Sequence, residues 1–110
     1  MEVETRDVFG SQVVKICEER LDVKSVPSFR EAIEPYIDSE QTLILDLSVV
    51  QFIDSTGVGA LLQLMKNLNE KESPLKLCDI QEQVESMFKL VHMETMFVIC
   101  KSVEEATGLG

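Results

Sequence analysis

Thr42-Leu43-Ile44-Leu45-Asp46-Leu47 is an apolar run broken only by Asp46, the pattern of a strand covered on both sides, as in a parallel sheet. It predicts the central strand. On its C-terminal side, Ser48-Val49-Val50-Gln51-Phe52-Ile53 reads as a connection to Asp54-Ser55-Thr56-Gly57-Val58-Gly59. Val58, Leu61, Leu62, Met65 and Leu68 then mark the apolar stripe of a helix that begins around Ser55. Lys71-Glu72-Ser73-Pro74 breaks that stripe, Leu75 to Cys78 is a short strand, and Val84, Met87, Phe88 and Val91 repeat the i, i+3, i+4, i+7 spacing of another helix. Met96 to Cys100 is expected to close the sheet. Ser102 and Glu105 are spaced as a capping box for a short helix over 102–107, and Gly108-Leu109-Gly110 is expected to be a frayed tail.

On the N-terminal side, Val3 to Val8 and Val13 to Glu18 alternate partially and flank Phe9-Gly10-Ser11, which predicts a hairpin. Ser25 is placed to cap a helix carrying Pro27 in its first turn, with Val26, Phe29, Ile33, Tyr36 and Ile37 on its apolar face. Pro35 removes a hydrogen bond from that helix and predicts a kink or an early end. The sum is an α/β fold with a mixed sheet: an N-terminal hairpin followed by alternating helices and strands, over a single domain spanning 1–110. Right-handed crossovers place the later strands parallel and adjacent, and the half-polar hairpin is expected at a partly exposed edge.

The chain has 110 residues, 45% of them apolar, enough for one modest core. Its 10 Lys+Arg against 20 Asp+Glu give a net charge of −10, and there is no basic run. Nucleic acid and anionic membrane surfaces are therefore poor partners, and a basic protein surface a better one. No stretch approaches the ~18 to 20 consecutive apolar residues of a membrane span, and Met1-Glu2-Val3-Glu4-Thr5-Arg6 lacks the build of a signal peptide, so a cytoplasmic location is expected. Cys17, Cys78 and Cys100 are odd in number, widely spaced and at or near the ends of apolar runs, which fits reduced thiols in strands; with one histidine and no paired cysteines, neither a disulfide framework nor a zinc site is expected.

The segment 54–59 places two hydroxyls, Ser55 and Thr56, at the first turn of a helix, where free N–H groups and the helix dipole favour an anion, including a phosphate esterified to the serine itself. Gly57 and Gly59 each cost roughly 1 kcal/mol relative to alanine in a helix, which points to close approach by another backbone or a ligand. The simpler reading is that Asp54 or Ser55 is an N-cap and the glycines allow tight packing. A nucleophile elbow fails because Ile53 stands where glycine is needed, and a dinucleotide fingerprint fails because Leu62 occupies the third glycine position. His92, the single histidine, is explained by the C-terminus of its helix rather than by a catalytic triad. No catalytic residue, metal or cofactor is expected.

Leu43-Ile44-Leu45-Asp46-Leu47 followed by Phe52-Ile53-Asp54-Ser55-Thr56-Gly57-Val58-Gly59-Ala60-Leu61 resembles the strand, loop and helix around the phosphorylatable serine of bacterial STAS domains of the anti-sigma-factor antagonist kind. Leu21-Asp22 before the first helix, and the order from Leu90-Val91-His92-Met93 through Phe97-Val98-Ile99-Cys100 to Glu104-Glu105-Ala106, extend the likeness over nearly the whole chain. The resemblance implies a non-enzymatic, monomeric partner-switching regulator of transcription. Unphosphorylated, it binds an anti-sigma factor that is also a serine kinase; phosphorylation by that kinase breaks the complex and a serine phosphatase resets it.

Carried over by position, Ser55 matches the phosphorylated serine, with Thr56 as a secondary hydroxyl. Asp54 is the acidic residue beside it, and Asp22 is expected at the end of the second strand near the same surface. The implied docking surface is Asp22 with Asp54, Ser55, Thr56, Gly57, Val58 and Gly59. The chain departs from the family pattern at Glu19, where glycine is usual, at Pro35, and at His92-Met93, which replaces a glycine-leucine turn. Two other readings stand beside this one: a STAS scaffold or sensor subunit that is never phosphorylated, with Ser55 only a cap, and a module that binds a nucleotide or small anion at the helix terminus, although no P-loop lysine motif supports the latter.

Overall fold

The computed structural model describes residues 1–38, 41–70 and 75–108. Along the chain it forms β1 (Val3–Val8), β2 (Ser11–Ile16), β3 (Arg20–Leu21), α1 (Val26–Ile37), β4 (Leu43–Asp46), β5 (Phe52–Ile53), α2 (Ser55–Glu70), β6 (Leu75–Cys78), α3 (Glu82–Leu90), β7 (Val98–Cys100) and α4 (Val103–Ala106). The main sheet has the order β1-β2-β4-β6-β7, so β4 is its middle strand. Its four residues are all buried, as a strand covered on both faces requires. β1 and β2 pair antiparallel, and β2, β4, β6 and β7 are parallel. The fold class is the mixed-sheet α/β arrangement read from the sequence, with the hairpin at an edge where β1 keeps its middle four residues exposed.

Helices cover the two faces unequally. On one face Val14, Ile16, Leu43, Leu45, Leu75 and Leu77 pack against Phe29 and Ile33 of α1, Leu61, Leu64 and Leu68 of α2 and Phe88 of α3. On the other, the one-turn α4 is the only helix among the described residues that packs, setting Val103 and Ala106 against Val13, Ile44 and Cys78. Ser102 caps α4 by accepting from the Glu105 N–H at 3.1 Å, as its spacing predicts.

Several expectations need correction. The hairpin turn is two residues, Phe9 and Gly10, both at positive φ, so β2 starts at Ser11 rather than at Val13. Ser25 has helical backbone angles and does not cap α1; its hydroxyl donates to the Arg20 carbonyl at 2.8 Å and accepts from the Asp22 N–H at 2.9 Å. α1 runs through Pro35 and ends two residues later at Ile37. Phe52–Ile53, expected to be part of a connection, is a strand pairing in parallel with Arg20–Leu21. Asp22 therefore follows β3, not the second strand. The breaker at 71–74 and the last two residues of the expected tail lie outside the described residues.

His92 takes φ 58°, so this histidine adopts the left-handed conformation that a glycine would take without strain. Position 19 has no such requirement. The Glu19 carbonyl accepts from the N–H groups of Gln51 and Phe52 at 2.7 and 3.0 Å, tying the start of β5 to the chain before β3. All three cysteines are free thiols: Cys78 is buried in β6, Cys100 is half-buried in β7, and Cys17 is half-buried just beyond the end of β2 rather than in a strand.

Candidate functional site at the start of helix α2

The two-residue ladder of β3 and β5 brings Asp22 and Asp54 to the same corner of the molecule. Leu21 and Ile53 point inward, 0% and 2% exposed, while Arg20 and Phe52 face out. The Arg20 guanidinium lies 4.1 Å from the centroid of the Phe52 ring and its Nε is 3.2 Å from the Asp22 carboxylate. Arg20, Asp22, Val23, Lys24, Phe52 and Asp54 line a shallow concavity of about 710 Å³.

Both carboxylates are committed within the chain. Asp54 Oδ1 accepts from the Gly57 N–H at 2.9 Å, the N-cap bond of α2, and Oδ2 accepts from the Val23 N–H at 3.2 Å. One side chain thus caps the helix and fastens the loop between β3 and α1 to it. Asp22 Oδ1 accepts from the N–H groups of Lys24 and Ser25, both at 3.1 Å. Partial burial works to raise the Asp22 carboxyl, but the hydrogen bonds from Ser25, Arg20 and Lys24 outweigh it and hold the group below its usual carboxylate value.

With Asp54 as the cap, the Ser55 hydroxyl has no structural work. Ser55 and Thr56 are exposed, and the Ser55 hydroxyl makes no hydrogen bond to any described residue. The sequence left the cap open between Asp54 and Ser55, and the geometry assigns it to Asp54. A free anion at this terminus would meet the Asp54 carboxylate already bonded to the Gly57 N–H, which disfavours a small-anion site here.

The remaining site residues divide by burial. Gly57 is buried against β3: a Cβ there would overlap the Leu21 carbonyl oxygen and lie 2.6 Å from Ile53 Cγ1. Val58 is 3% exposed and belongs to the main core. Gly59 is exposed, and a Cβ there would meet nothing within 4 Å. The close approach implied by the two glycines is therefore real at Gly57, with the backbone of Leu21 as the neighbour, and has no counterpart inside the fold at Gly59.

Away from this corner, the ends of β4 and β6 bring Asp46, Cys78 and Asp79 together with ligand-type atoms within 4.8 Å of one another, a juxtaposition their sequence spacing does not reveal. Burial, with the neighbouring Asp46 and Asp79 carboxylates, pushes the Cys78 thiol well up, so it stays protonated at neutral pH. Asp79 is raised as well, first by burial and then by Asp46.

The STAS domain model matches residues 2–106. The chain belongs to the STAS domain family. It is 29% identical over 85 residues to the anti-sigma-B factor antagonist of Listeria monocytogenes, covering 76% of this chain and 74% of that protein. It is 27% identical over 105 residues to the anti-sigma-B factor antagonist of Staphylococcus aureus, covering 94% of each.

Among solved structures, the anti-sigma-factor antagonist (STAS) domain protein of Planctomyces limnophilus superposes with a TM-score of 0.85 at 16% identity, over 94% of this chain and 93% of that one. The phosphorylated Bacillus cell fate determinant SpoIIAA gives a TM-score of 0.67 at 22% identity, over 97% of both chains. The murine anion transporter Slc26a9 gives 0.74 at 24% identity, over 93% of this chain but 18% of the transporter. The fold is thus the STAS fold. No helix among the described residues is long and apolar enough to cross a membrane.

Proposed function

We propose that this STAS protein is an anti-sigma factor antagonist, a cytoplasmic and monomeric regulator without enzymatic activity of its own, whose switch is phosphorylation of Ser55. The observation that carries the reading is that Asp54 caps α2 and leaves the adjacent Ser55 hydroxyl exposed and unbonded, free to be modified without dismantling the fold. The names of the Listeria and Staphylococcus relatives support the role. SpoIIAA, which shares the fold, has been seen in unphosphorylated and phosphorylated forms, which supports the modification.

In this reading the unmodified chain binds an anti-sigma factor that is a serine kinase, the kinase places phosphate on Ser55, and a phosphatase removes it; Thr56 is the secondary acceptor. Ser55, Thr56 and Gly59 form the contact face, while Asp22, Asp54, Gly57 and Val58 hold that face in place from beneath. A phosphate adds about −1.5 to −2 charges beside Asp54 and three acceptor oxygens that a docked partner must desolvate or satisfy. Moving a complex from 1:99 to 99:1 takes about 5.5 kcal/mol, more than a distant surface charge supplies, so Ser55 belongs inside the interface.

Titrating the purified anti-sigma factor of the source organism into the parent, Ser55→Ala and Ser55→Asp tests this. Ser55→Ala should bind like the unmodified parent while resisting the kinase, with stability within about 0.5 kcal/mol because no cap is lost. Ser55→Asp should bind much more weakly. Equal binding by all three proteins would sink the proposal and favour the scaffold reading, which the likeness of this fold to one part of the larger Slc26a9 transporter supports.

A further inference from the structure

The contrast between Gly57 and Gly59 says more about the partner than about the fold. Gly57 has no room for a side chain, whereas Gly59 has open space above it and sits in the second turn of an exposed helical face. A glycine there weakens the helix, and no close contact with the described residues repays the loss. It lies four residues after Ser55, hence on the same face of α2 and one turn further along.

That face is also uncharged over its first turns. Ser55, Thr56, Gly59 and Gln63 are its exposed residues before Lys66, in a chain where 27% of residues are charged. By comparison, α1 exposes Arg30, Glu31 and Glu34, and α3 exposes Glu82 and Glu85. Depletion of charge distinguishes the centre of a protein interface from its rim.

We propose that Gly59 is the point of closest contact with the anti-sigma factor: an uncharged segment of that protein packs directly on the α2 backbone here, in the space a side chain would fill. The inference rests on the reading of Ser55 as the switch and adds how the switch acts. With the partner in van der Waals contact one turn away, a phosphate on Ser55 acts through its volume and its desolvation within a closed contact, more than through repulsion across solvent. Its effect should therefore survive salt that screens exposed charges.

The test is binding of the purified anti-sigma factor of the source organism to the parent, Gly59→Ala, Gly59→Gln and Ser55→Asp, at ~0.1 and ~0.5 M salt, with the melting temperature of each protein measured alongside. Gly59→Ala should bind at least about tenfold more weakly, Gly59→Gln more weakly still, and both should melt at or above the parent temperature. The Ser55→Asp defect should change less than about threefold between the two salt concentrations. If Gly59→Ala binds within about twofold of the parent while Ser55→Asp does not, the close contact at Gly59 is wrong and the Ser55 switch stands. If Ser55→Asp binds like the parent, or the parent does not bind, the switch reading fails and this inference fails with it.

Discussion

The inner and outer faces of the first turns of α2 carry the same residue for opposite reasons. On the inner face Gly57 lets the helix close on the Leu21 carbonyl and the Ile53 side chain, fixing where the helix starts relative to the β3 and β5 ladder. On the outer face a side chain at Gly59 would meet none of the described residues, and the Ser55 hydroxyl one turn earlier bonds to none of them. A glycine weakens a helix equally at either position, so only the neighbours tell packing from function. What the fold requires and what it leaves unused are separated here by two residues, and the unused part is where a partner and a modifying enzyme can act without cost to the core.

The comparison can be broken first at Gly57. Gly57→Ala drives a methyl into backbone that cannot move aside without separating α2 from β3, so a loss of about 3 kcal/mol or more is expected in denaturant unfolding. A loss below about 1 kcal/mol would mean that the inner face is not close-packed. Next is Asp54, which links the two faces. Asp54→Ala removes the helix cap and the bond to the Val23 N–H, for an expected loss of about 2 kcal/mol, whereas Ser55→Ala leaves stability nearly unchanged. Equal losses at the two positions would return the cap to Ser55.

The smallest effect is at Asp22. Its folded-state carboxyl lies below the usual value, so its contribution to stability is present above the unfolded pKa of ~3.9 and is lost as pH falls through the lower, folded value. Asp22→Asn should therefore be less stable than the parent near neutral pH, with the gap narrowing below pH ~4. A pH-independent gap would show that the hydrogen bonds to Lys24 and Ser25 do not depend on the charge.

Where periodicity runs long, the sequence is readable. Val58, Leu61, Met65 and Leu68 define α2 and its start at Ser55, and the unbroken run at 43–47 gives the middle strand, because burial on one stripe or on both faces leaves a pattern over several residues. β3 and β5 leave none. Two residues each are too few for alternation, and it is their pairing across 32 positions that brings Asp22 beside Asp54. The hairpin was readable and only its turn length was not, since Phe9 occupies a left-handed position that local preference gives to asparagine or glycine.

The site was half readable. The motif 54–59 carries both hydroxyls and both glycines, but which residue caps the helix, and which glycine faces the core, depend on Leu21 of β3 and Val23 of the loop after it, both distant in sequence. Likewise Ser25, spaced as a cap, is drawn away because Arg20 and Asp22 offer its hydroxyl better partners.

The most direct measurement is phosphate mapping by intact-protein and peptide mass spectrometry on the protein isolated from its own cells under several growth conditions. Phosphate on Ser55 whose occupancy changes with condition, with Thr56 unmodified or minor, is the predicted result. Absence of phosphate from both hydroxyls under every condition would contradict the switch and leave the α2 face as a constitutive binding surface.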